Sequence, residues 1–256
     1  MSNRISLAAL AAASLLSAPQ LARADYHIRS PDEIDYHEIE IEHNGAATFD
    51  HRPDQDNAQS YTVELGTGIT PWYHPEIELD IGRNAGPEQP TQIQGFTWEN
   101  TVRLTEPGEG WLDFGLYAEY SHVTLKGPGN ADGVLFGPLL QKDVGRTTHT
   151  LNLFLEKQLG SGQDAHGLDF SYAWQSRWNV WRPLSPAIEI YGDAGIIDRL
   201  DPFKQQQLIA GPVAVGLYYL GDGLGKLKYE AGYLFGMTNA SPAGTLRWKV
   251  EIEVPF

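Results

Sequence analysis

From residue 36 to its last residue the chain is written in twos. In the closing stretch TLRWKVEIEVPF, Leu246, Trp248, Val250, Ile252, Val254 and Phe256 fall on one side. Arg247, Lys249, Glu251 and Glu253 fall on the other. Successive side chains of a strand point to opposite faces, so this pattern is a strand with one oily and one charged face. The same alternation recurs in SYTVELGTGIT, PEIELDIG, FTWENTVRLT, WLDFGLYAEYSH, THTLNLFLEKQ, LDFSYAWQSRWNV and AIEIYGDAG. It returns in GPVAVGLYYL and KLKYEAGYLFGM, and opens in DYHEIEIEH. VLFGPLLQ is the weakest member, because Pro138 interrupts it. Together these make about twelve strands of roughly 9–11 residues, the length of a tilted membrane strand. A few positions break the pattern: Asn100 falls among oily residues, and Phe154 and Leu234 among polar ones.

A long oily strand at a chain end would be an exposed edge, prone to aggregation, unless something pairs with it. The other constraints agree with a barrel. The chain has no cysteine, so disulfide and thiolate chemistry are absent. Arg4, the apolar run LAALAAASLL over 7–16 and Ala22-Arg23-Ala24 read as a secretory signal removed after residue 24. The net charge is −15, and the leader holds two arginines and no acid, so residues 25–256 stand at −17. That balance argues against a nucleic-acid partner. Mean hydropathy is −0.34, which excludes a helical membrane protein but not a barrel whose strands are oily on alternate residues only.

The connections alternate as well. Long polar ones at 44–59, 84–93, 122–133, 160–166 and 198–206 take turns with short ones at 72–74, 106–110, 145–146, 182–186 and 221–225. Proline and glycine crowd the short set, as tight turns require. This places both ends of a single 25–256 domain on the side of the short turns.

The leader, the alternating hairpins and the terminal RWKVEIEVPF resemble the Gram-negative outer-membrane β-barrel class. The resemblance implies a closed antiparallel transmembrane barrel, termini in the periplasm, and outer-membrane lipid around it. It implies also that the last strand is read by the barrel assembly machinery and pairs with the first. Glu38, Glu40 and Glu42 on the first strand and Arg247 and Lys249 on the last are then the candidate closure residues, with Phe256 at the end. Opposite charges across that join are expected to favour one register. A soluble sandwich or lipocalin-like barrel remains the alternative, with the oily faces inside. Trp72, Tyr73, Trp174, Trp178, Trp181, Trp248 and Phe256 are expected at the headgroup level. His37 and His43 read as interfacial residues, and no metal site or cofactor is expected.

The inward face is where function is expected. Its candidate pathway residues are Glu64, Glu76, Glu78, Asp80, Glu99, Arg103, Asp113, Glu119, Arg177, Glu189, Asp193 and Glu230. Neighbouring carboxylates about 7 Å apart repel by roughly 2 kcal/mol at an effective dielectric near 20, and the excess must be met by bases, by raised pKa values or by bound cations. One reading is a narrow channel or transporter-like path for small hydrophilic solutes, with a preference for cations. Another is a closed structural barrel knit by salt bridges. A hydrolase is the third, but no G-x-S-x-G and no serine–histidine pairing supports it, and no catalytic residue is assigned.

Overall fold

The computed structural model describes residues 26–125, 130–160, 167–221 and 223–256. Twelve strands follow one another along the chain: β1 (Glu38–Phe49), β2 (Gln59–Thr67), β3 (Tyr73–Arg83), β4 (Gln92–Arg103), β5 (Asp113–Val123) and β6 (Gly133–Val144), then β7 (Thr147–Gln158), β8 (Asp169–Trp178), β9 (Ser185–Ile196), β10 (Gln207–Gly221), β11 (Gly225–Gly236) and β12 (Gly244–Pro255). A 3-10 turn, Ile197–Arg199, follows β9. Each strand pairs antiparallel with its neighbours in sequence, and β12 pairs with β1, so the sheet closes on itself. The chain is a twelve-stranded barrel of the outer-membrane type, and the soluble sandwich is set aside.

The oily rows face outward. Ile39, Ile41, Val63, Leu65, Ile77, Phe96, Trp98, Leu116, Ile188, Val250 and Ile252 are all exposed on the outer wall, Ile77 at 64%. Their inward neighbours are buried; Glu99 and Arg247 each keep 1% of their surface. This is the inverse of a soluble barrel. A strand of 12 residues is about 40 Å long and, tilted by 35–45°, rises roughly 30 Å, the thickness of a hydrocarbon layer.

Two local features refine the sequence reading. The first connection is 50–58, not 44–59, because β1 continues to Phe49 in register with β12. Within that strand Gly45 faces Trp248, and a Cβ there would run into the indole. Pro138 stays within β6, where the ladder to β7 passes over residues 137 and 138 and resumes at Leu139↔Asn152.

At the end that carries both termini, the connections are 68–72, 104–112, 145–146, 179–184 and 222–224. At the other end they are 50–58, 84–91, 124–132, 159–168, 197–206 and 237–243. The alternation therefore holds except at 104–112, which is as long as the opposite set. Trp72, Trp178, Trp181 and Phe256 are exposed at the terminus end, with Trp111 beside them. Trp174 and Trp248 correct the aromatic expectation: both sit mid-strand, opposite Ile190 and Gly45.

The expected leader lies outside the described residues.

Candidate functional site

Hydrogen-bonded registry puts the inward carboxylates directly side by side. Across β12, β1, β2 and β3 one row reads Glu251, Glu42, Glu64, Glu78. The row beneath reads Glu253, Glu40, Gly66, Glu76, and continues on β4 and β5 with Glu99 and Glu119. Like charges directly opposite each other destabilise a sheet, so this wall calls for counter-charges or protons.

That registry corrects the expected seam. Glu40 faces Glu253 and Glu42 faces Glu251, while Lys249 and Arg247 face Asn44 and Ala46. Oily alternation fixes which face each residue takes, and the backbone ladder fixes the register; the charges must adapt. Lys249 reaches Glu42 diagonally at 2.5 Å and Glu251 at 3.0 Å. Arg247 leaves the seam altogether and binds Glu189 on β9, at 2.6 Å, and Glu230 on β11. The remaining counter-charges come from β11, where Lys228 meets Glu251 and Glu253, and Lys226 meets Glu253, Asp35 and Glu38. Phe256 closes the join by donating its N–H to the carbonyl of His37 at 3.0 Å.

The segment before β1, whose course the sequence leaves open, supplies a further base. Residues 26–35 run inside the lumen, with Tyr26 deepest and Asp35 near the mouth at the terminus end. Arg29 donates to both oxygens of Glu99, at 3.0 and 2.9 Å, and its guanidinium lies 4.3 Å above the Tyr117 ring. On the other side, Asn152 of β7 grips the Arg29 backbone twice. Its Oδ1 accepts from the N–H at 2.9 Å, and its Nδ2 donates to the carbonyl at 2.7 Å. Ile28 enters an apolar patch of Ala173, Ala187, Tyr191, Ile209, Val213, Val215 and Leu234. Here Leu234, out of pattern in the sequence, has its reason. Phe154 has its own, packing inward with Tyr117 and Leu139.

Nearer the mouth, Ser30 donates to Gln141 Oε1 at 2.7 Å, and Gln141 donates to Asp32. Arg103 clamps the backbone: its guanidinium donates to the carbonyls of Pro31, Asp32 and Ile34 at 3.0–3.1 Å. His27 Nε2 lies 3.0 Å from Lys249 Nζ. A lysine only donates, so Nε2 accepts and the ring proton sits on Nδ1, 3.6 Å from Glu42. Burial and the neighbouring Asp113 push the Asp32 carboxyl up to about 6.

The tail separates two chambers that share no lining residue. One of about 180 Å³ lies beside Tyr26, Glu78, Asp80, Glu119 and Asp193. The other, about 600 Å³, opens among Asp32, Glu33, Gln141, Arg177, Lys228 and Glu230. The remaining candidates divide by role. Glu64 accepts from Asn44 and Thr62, and Asp80 from Thr97. Glu119 accepts from Tyr117 and Ser121, and Glu189 also from Gln175. Asp113 caps the 104–112 connection through the Gly108 N–H, Asp193 holds the Gly195 N–H, and Arg177 reaches Asn179. These last three sit at the barrel ends, away from the acidic rows.

Sequence reasoning left the course of the tail open and did not single out its partners Asn152 and Gln141, or His74. The tail shows no alternation, yet Arg29 is the first base after the leader and is flanked by Ile28 and Ile34. An excess of inward acids over inward bases was the signal that a base must come from outside the strands. His74 shares the parity of Glu76, Glu78 and Asp80 but was read as part of a turn.

No protein-family profile matches the chain, and no curated protein matches it. Among solved structures, it is similar to a chain described as a bacterial polysaccharide outer membrane secretin. The identity is 8%, the TM-score 0.45, and the match covers 87% of this chain and 99% of that one. A second, described as "Unveiling the Mechanism Behind the in-meso Crystallization of Membrane Proteins", is 10% identical with a TM-score of 0.48, covering 86% of this chain and 84% of that one.

Proposed function

We propose that the protein is a barrel of the Gram-negative outer membrane whose lumen is held shut by its own amino-terminal segment, and which passes small hydrophilic solutes, cations before anions, when that segment is displaced. In this reading its termini lie in the periplasm, its last strand is the handle for the assembly machinery, and it catalyses no reaction. The observation that carries the reading is residues 26–35 lying between two chambers, held by side chains of β4, β6 and β7. Among the described residues the segment forms no backbone ladder with the wall inside the lumen, so it can leave without breaking the barrel. Once it leaves, the acidic rows face water and concentrate cations.

Planar-bilayer recording tests this. The folded full chain is expected to be silent or to open rarely, and a variant lacking residues 26–35 is expected to show cation-selective steps. Anion-selective steps reject the cation preference. A folded deletion variant that never conducts rejects the conduit and favours a closed structural barrel. The Arg247 bridges to Glu189 and Glu230 across the interior are the observation on that side.

A further inference from the structure

Several members of the acidic rows are answered by cations: Glu99 has Arg29, Glu42 has Lys249, and Glu251 and Glu253 have Lys228. Among the described residues, Glu40, Glu76, Glu64 and Glu78 have no lysine or arginine within ion-pair distance. Glu64 accepts hydrogen bonds from Asn44 and Thr62, whereas Glu40 and Glu76 flank the buried ring of His74.

His74 is 4% exposed, and neither ring nitrogen has a hydrogen-bond partner. Buried imidazoles without partners are costly, which marks a group waiting for something. Nε2 lies 3.6 Å from Glu76 Oε1 and 3.9 Å from Glu40 Oε2, too far for hydrogen bonds. One ligand atom from each of the three side chains falls within 4.8 Å of the others. Metal–ligand bonds near 2.1 Å in a tetrahedral site place ligand atoms roughly 3.4 Å apart, so the two histidine–carboxylate distances need to contract by only a few tenths of an ångström, and the two carboxylates by at most about 1.4 Å.

The backbone makes the space. In registry, Gly66 stands directly between Glu40 and Glu76. A Cβ there would collide with His74 Nε2 and with Cγ of Glu76. The missing side chain gives His74 and Glu76 their room, and beside them lies a cavity of about 30 Å³, lined by Glu40, His74, Glu76 and Thr101 and by His27, Arg29, Ser30, Glu33 and Ile34 of the tail. That is room for one ion or one water. Lys249 and Glu251 also line it, but each already pairs with the other.

We propose that Glu40, His74 and Glu76 bind one divalent transition-metal cation of the zinc type, enclosed between the β1–β3 wall and the tail. A neutral imidazole with two carboxylates suits zinc and its neighbours better than calcium or magnesium, which take oxygen ligands only. The cation supplies the charge that the second acidic row lacks at Gly66. Because tail residues line the cavity, the bound ion also braces the segment inside the lumen. This site does not depend on whether the lumen conducts.

The test uses the full folded chain, stripped with a chelator and titrated with Zn²⁺ by calorimetry, with Co²⁺ as the absorption probe of a tetrahedral nitrogen–oxygen site. About one equivalent is expected to bind. His74→Ala should abolish binding, and Glu76→Gln should weaken it at least about tenfold. His149→Ala, on the outer wall against Trp174, should leave it intact. Gly66→Ala keeps all three ligands but fills the space, and should also abolish binding. Heat-modifiable gel mobility reports whether each variant is folded. No Zn²⁺ uptake by the full chain, or uptake unchanged in folded His74→Ala or Gly66→Ala, overturns the proposal.

Discussion

Two inner walls grip the same tail by different physics. The wall of β1–β4 with β11 and β12 is crowded with carboxylates and holds the tail through charge, chiefly Arg29 on Glu99. The wall of β5–β10 also carries inward acids, among them Asp113, Glu119 and Glu189, but it grips the tail with uncharged groups. It presents Gln141, Thr150, Asn152 and two apolar patches, and holds the tail by backbone hydrogen bonds and shape. A charged grip is long-ranged and fails badly when one partner is lost, because the other is left buried and alone. A neutral grip is directional, and its loss costs only the bonds themselves.

Because the chain has no cysteine, a Ser30→Cys background gives one thiol whose labelling rate measures release of the tail. Arg29→Ala should have the largest effect. It strands Glu99 in the wall, at a cost of about 3–5 kcal/mol, and labelling should accelerate by more than about a hundredfold. A change of only a few-fold would mean that the charged wall contributes little to the grip. Asn152→Ala comes next: two bonds to the Arg29 backbone are lost, about 1–3 kcal/mol, and labelling should rise roughly tenfold. If it matched Arg29→Ala, the contrast between the walls would be wrong.

The smallest effect tests the mouth. Asp32 faces Asp113, Asp143 and Glu33, which disfavour its charge, and Arg103, which favours it. Its carboxyl titrates at about 6 when docked, against an ordinary value near 4 when released. The docked form therefore binds the proton more tightly. Docking gains as pH falls from 6 to 4, and carries its full penalty above 6. Solvent screening of this half-buried carboxyl cuts the effect well below what a two-unit shift would give, so Asp32→Asn should slow labelling only a few-fold relative to its parent above pH 6, with the difference vanishing below pH 4. A difference that grew toward low pH would reverse the sign and refute the assignment.

The alternation made the barrel legible, because a period of two over a dozen stretches admits few folds, and Ile39, Ile77 and Ile252 do face outward. The list of inward acids was legible for the same reason. Partners were not. Parity says which way Glu42 points, but only registry says that it stands beside Glu251 and Glu64 rather than beside Lys249. The tail was beyond reach too, since residues 26–35 have no period and are fixed by groups more than sixty positions away, such as Glu99 and Asn152.

The seam has a consequence for how the molecule is put together. If β12 arrived at β1 by itself, two glutamate pairs would meet head-on with only Lys249 to mediate. The hairpin of β11 and β12 brings Lys226 and Lys228 with it, already seated on Glu251 and Glu253. The closing unit is thus two strands rather than one: the penultimate strand acts as counter-ion carrier for the last, and the circle is completed by a piece whose charges are settled before it docks.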